Sequence, residues 1–130
     1  MDRSGIRVAV PRGDASDLRL TKMLKQAELV RAESIAAAVD LVRTRKADAY
    51  AAPRFLLLVE AARLPGSRVL EDGFATIYMV AMVPKGNSAR LAYVSEFIEE
   101  AKGSGLVKQA IERVALRGVQ VVPPGQRSIQ

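Results

Sequence analysis

Short apolar, β-prone runs separated by segments with helical spacing constrain this chain more than any other feature. Ile6–Val10 reads as a buried strand, "ELVRA" (Glu28–Ala32) as a second and "ADAYAA" (Ala47–Ala52) as a third. Between the first two, Leu20, Met23, Leu24 and Ala27 recur at helical spacing, which predicts a helix over about Ser16–Gln26. Ser34 is a good N-cap for a second helix, with Ile35, Ala38, Val39 and Val42 as its apolar stripe. Strands separated by helices need crossover connections, and such connections build a mainly parallel sheet. The expected fold is an α/β three-layer sandwich.

The pattern continues past the third strand. Pro53 suits the first turn of a helix, where a missing N–H is harmless, and "FLLLVEAARL" then runs to Pro65-Gly66. "SRVLED" (67–72) and "FATIYMVAMV" (Phe74–Val83) read as strands around Gly73, and Pro84, Gly86 and Asn87 break the second. Ser88 is expected to cap a helix with the stripe Leu91, Val94, Ile98 and Ala101. "KGSG" (102–105) is a joint to a last helix marked by Val107, Ala110, Ile111 and Val114 and ended by Gly118. "VQVVPP" reads as an extended piece and "GQRSIQ" as a frayed end. A single α/β domain is expected over 1–130, with an α/β core (1–83), a helical segment (84–118) and an extended tail (119–130).

With 130 residues the chain has room for one core. It contains neither cysteine nor histidine. Disulfides, thiolate chemistry, Ser-His-Asp catalysis and His-ligated zinc are therefore excluded. No nucleophile or acid–base constellation stands out, so the reading is non-catalytic, with no cofactor and no metal. The formal charge of +6 makes a nucleic-acid or membrane partner conceivable. The basic residues, however, are spread along the chain among acids. The densest group, Arg43-Thr44-Arg45-Lys46, falls at a helix C-terminus, where cations suit the dipole. Neither nucleic-acid binding nor membrane insertion is expected. No apolar stretch has the roughly twenty residues of a membrane span, and no secretory leader is visible in "MDRSGIRVAV".

Parallel sheets of this kind place ligands beyond the carboxyl ends of their strands. The first such end is "RVAVPRGDASDLRL" (Arg7–Leu20). There Gly13 allows close backbone approach, Asp14, Ala15 and Ser16 open a helix, and Arg12 adds a cation. Two readings stay open: a small-anion turn, or a helix start capped by Asp14 with Asp17 three residues on. At the third strand, Ala52 and Arg54 occupy the corresponding loop, with Arg54 read either as a partner for a ligand carboxylate or as a surface ion pair. Asp48 starts that strand at the opposite edge and reads as a capping residue. Glu99-Glu100 reads as a solvated helix face. No phosphate-loop or dinucleotide fingerprint is present.

The order of these motifs resembles the second lobe of bacterial extracellular solute-binding proteins of the amino-acid ABC-transporter type. The segments that carry it are "GIRVAVPRGDASDLRL", "IAAAVDLVRTRKADAYAAPRFLLL" and "RVLEDGFATIYMVAMVPKGNSARLAYVSEFIEEAKGSGLVKQAIERVALRGVQV". Together they cover about Gly5 to Pro123, and they match only the C-terminal half of that family. The resemblance implies a lobe with C-terminal helices, a periplasmic location, a small solute and an ABC permease as partner. Two positions depart from the family. Pro53 stands where the ammonium-binding aspartate is usual, and Asp14 where a Ser or Thr faces the ligand carboxylate. A small anionic solute held weakly at 11–16, by Arg12, Gly13, Asp14, Ala15 and Ser16 with Ala52 and Arg54, is thus expected over an α-amino acid. The alternative is a self-associating interaction domain with a vestigial cleft. The apolar helical stripes after Val83 further predict a homodimer, with exchange of the segment after Val83 as one form.

Overall fold

Val8, Ala9 and Val10 are fully buried, and the strand they form organises the first half of the chain. In the structure, a computed structural model that describes residues 2–126, this strand is β1 (Arg7–Pro11). Helix α1 (Ala15–Met23) follows, then β2 (Glu28–Ala32), α2 (Ile35–Arg43), β3 (Ala49–Tyr50) and α3 (Arg54–Arg63). The sheet has the order β2-β1-β3, and β1 runs parallel to both neighbours. The register pairs Arg7 with Glu28, Val10 with Arg31 and Ala9 with Tyr50.

Alternation along β1 divides its side chains between two faces. Val8 and Val10 pack with Leu20 of α1 and Ala51, joined by Ile6, Leu24, Ala27, Leu29 and Phe74. Ala9 faces the other way and packs with Ala32, Ala38 of α2 and Ala47. A helix on each face of a parallel sheet is the α/β arrangement that the pattern implied.

The chain divides into two units, Met1–Ala75 and Thr76–Gln130. The second unit holds α4 (Ser88–Gly103) and α5 (Leu106–Arg113). Gly105, at φ 80°, makes the turn between them. The Glu99 carboxylate accepts from the Gly125 N–H and the Lys102 ammonium donates to the Pro123 carbonyl, which ties the tail to α4.

Several boundaries differ from the sequence reading, each for a local reason. Helix α1 begins at Ala15 and stops at Met23, because Asp14 is its cap and Leu24 is already extended. Asn87, not Ser88, caps α4, since its side chain accepts from the Arg90 N–H. Helix α5 ends at Arg113, well before Gly118. Ala115 takes the left-handed conformation there, and the Leu116 N–H reaches the Ile111 carbonyl in a Schellman-like closure. β3 is shorter than Ala47–Ala52, although Asp48 N–H to Arg7 and Ala51 N–H to Ala9 extend its bonding. Among the described residues, 67–72 and Phe74–Val83 form no strand, and 119–124 is likewise unpaired. The side chains there have strand character, but a strand exists only through a ladder partner.

Candidate functional site

The turn after β1 is shaped by Gly13, whose φ of +77° lies in the left-handed region. Nothing crowds a Cβ there, so its demand for glycine is purely conformational. We therefore expect Gly13→Ala to cost about 1 kcal/mol and Gly13→Asn less. Denaturant titration of the three proteins checks that order.

Chain carboxylates occupy much of the turn. The Gly13 N–H donates to Asp17 Oδ2 at 2.8 Å, and the Asp17 N–H donates to Asp14 Oδ1 at 2.8 Å. The capped-helix reading of Asp14 and Asp17 is thus realised. Asp17 is buried and also accepts from Thr21 Oγ1 at 3.2 Å and from Arg31 Nε at 2.8 Å. Arg31 Nη2 in turn donates to Thr21 Oγ1 at 2.7 Å. The Gly13 backbone N–H first, then Thr21 and Arg31, hold the Asp17 carboxyl below the usual aspartate value. Ala15 and Ser16 contribute the two first-turn amides that have no intrahelical acceptor.

The other candidate residues are partly committed within the chain. Arg12 Nε pairs with Glu33 Oε1 at 3.1 Å on the surface, and the Arg12 backbone N–H donates to the Ala32 carbonyl at 2.8 Å. Ala52 is buried. Arg54 Nη2 donates to the backbone carbonyl of Glu71 rather than to a surface acid. Asp48 lies at the start of β3 as expected, paired with Arg7 through both side-chain and backbone donors. That pairing lowers the Asp48 carboxyl and raises the Arg7 guanidinium.

Because β1 and β3 are parallel neighbours, the Arg12–Ser16 turn and the Ala52–Arg54 loop leave the same edge of the sheet. Sequence reasoning missed a third feature of this edge. The Tyr50 hydroxyl is buried and has no hydrogen-bond partner. Burial pushes its pKa up, and the Asp14 and Glu60 carboxylates add to that shift. Tyr50 was visible only as a strand residue, and nothing in its neighbours marks an orphaned hydroxyl. Arg31 was missed for a related reason: its approach to Asp17 depends on the β1–β2 register.

Among the described residues no cluster of acids could hold a metal ion, and no helix is long and apolar enough to cross a membrane. No family model, no curated protein and no solved structure matches the chain.

Proposed function

We propose that the chain is a non-catalytic solute-binding lobe of the ABC-uptake type, acting in the periplasm beside an ABC permease. Its ligand edge is the carboxyl end of the β1–β3 pair. The observation that carries this reading is the buried, unpartnered Tyr50 hydroxyl on the strand beside the Gly13 turn. A buried hydroxyl without a partner costs roughly 1–3 kcal/mol, and a ligand acceptor would satisfy it. The Ala15 and Ser16 amides supply two further donors for a small carboxylate or similar anion. Asp14 and Asp17 already claim the neighbouring donors, so affinity is weak. Pro53 leaves no acid after β3 for an ammonium group, so α-amino acids bind no better.

Tyr50→Phe tests this through two readouts. Without ligand the variant is expected to be as stable as the parent or more stable by about 1 kcal/mol, because the orphaned hydroxyl is gone. Calorimetric titration of the parent with small carboxylates should give dissociation constants no tighter than about 1 mM, weakened further in Tyr50→Phe. A micromolar constant for an α-amino acid, or carboxylate binding untouched by Tyr50→Phe, would overturn the assignment.

A further inference from the structure

The parallel sheet has a second edge, at the amino ends of its strands and opposite the Gly13 turn. Segments far apart in sequence meet there. The Asp2 carboxylate accepts from the Lys25, Gln26 and Ala27 N–H groups at 2.8–3.1 Å. The Arg7 guanidinium donates to the Arg45 carbonyl at 3.0 Å, and the Asp48 N–H donates to the Arg7 carbonyl at 2.8 Å. The stretch before β1, the α1–β2 connection and the α2–β3 connection are thus fixed side by side.

Each of these segments brings cations to the edge. Arg3, Lys25, Arg45 and Lys46 are exposed, and none has an ion-pair partner among the described residues. The helix dipole accounts for Lys22 and Arg43, which lie in the last turns of α1 and α2. It does not account for these four, which lie outside both helices. Two acids of the edge are already committed, Asp2 to three amides and Asp48 to Arg7. Among the described residues Glu28 is the one acid left there without an ion pair. On the ligand edge, by contrast, Glu33 matches Arg12 and Asp17 matches Arg31.

Arg45 occupies a position that selects against it. Its φ of 59° lies in the left-handed region. The Lys46 N–H reaches the Leu41 carbonyl at 2.8 Å, which closes α2 in the Schellman pattern where glycine is usual. An arginine there adds a charge to the edge and weakens the helix end.

We infer that this edge adsorbs to the headgroup phosphates of an anionic bilayer, as a peripheral contact held by charge. Successive layers of an α/β unit lie about 10 Å apart, so the cations spread over a face roughly 20 Å across instead of lining a groove. A flat charged surface matches that spread. Arg3, Lys25, Arg45 and Lys46 have no aromatic side chain between them on which a base could stack, as single-stranded nucleic acid requires. Each Lys or Arg beside an anionic membrane raises partitioning roughly fivefold. The contact lies away from the ligand edge and needs no solute.

Co-sedimentation with vesicles tests it. The protein should pellet with vesicles of about one-third phosphatidylglycerol in phosphatidylcholine at roughly 0.02 M salt, and stay in solution at roughly 0.5 M. Phosphatidylcholine alone should not pellet it. Arg45→Gly should raise Tm and weaken vesicle binding about fivefold, a pair of changes that misfolding cannot produce. Lys108→Ala removes the same charge from an exposed site on α5 and should change binding less than about twofold. Failure to pellet with the anionic vesicles overturns the inference. So does an equal loss in the two variants, which reports net charge alone, and so does tighter binding to duplex DNA than to the vesicles at matched phosphate.

Discussion

Asp17→Ala should lower the stability of the first unit by about 3 kcal/mol, the sum of lost charge-assisted hydrogen bonds and of donors left without an acceptor. For a body of this size that is a fall of roughly 15 °C in Tm. One carboxylate takes the Gly13 amide, the Thr21 hydroxyl and the Arg31 guanidinium. It therefore fixes the β1 turn, the first turns of α1 and the exposed face of β2 together. Arg31 is about a third exposed, so water recovers part of its charge, and the loss stays near the lower end for a broken buried pair. Asp17→Asn keeps an acceptor and should lose about half as much.

The pH dependence of the same variants gives a second readout. The Asp17 carboxyl lies below the usual aspartate value when folded, chiefly through the Gly13 amide. Its contribution is therefore complete above the unfolded pKa and is lost as pH falls through the folded one. Asp48, lowered by Arg7, and Asp2, lowered by the Ala27, Gln26 and Lys25 amides, act in the same direction. Urea midpoints measured from pH 7 down to pH 3 should fall in the parent and fall less steeply in Asp17→Asn. Parallel slopes for the two proteins would mean that Asp17 does not carry this dependence.

The first unit was largely legible because its signals are local. β1 and β2 are apolar runs, and α1 and α2 each begin at a short polar cap whose bond the structure shows. Asp14 and Asp17 were readable as a pair because capping acts three residues apart. What could not be read depends on pairing or on distant neighbours. Phe74–Val83 has the side chains of a strand, yet among the described residues it has no ladder partner. The burial of the Tyr50 hydroxyl and the approach of Arg31 to Asp17 both arise from which strands adjoin β1. The end of α5 rests on Ala115 in a left-handed conformation, which composition argues against.

Ala38→Leu should be about as damaging as the loss of Asp17. The face of the sheet opposite Val8 and Val10 is built from small residues: Ala9 and Ala38 are fully buried, with Ala32 and Ala47 nearly so. Alanine at each of these positions sets how closely α2 approaches β1. Leucine at 38 adds three carbons to a contact whose other buried members are alanines that cannot turn aside, with Leu41, Val42 and Tyr50 only at its margin. Relief comes chiefly from shifting the helix off the alanine face, so the effect is about 3 kcal/mol, with a fall of roughly 15 °C in Tm. Helix propensity does not contribute, because leucine is nearly as favourable as alanine in a helix. Ala36, exposed on the same helix, provides the control: Ala36→Leu should change stability by no more than about 0.5 kcal/mol. Thermal melts of the two variants decide the matter. Equal Tm values for Ala38→Leu and the parent would show that the α2–sheet contact has room for a larger side chain, and that alanine does not set its spacing.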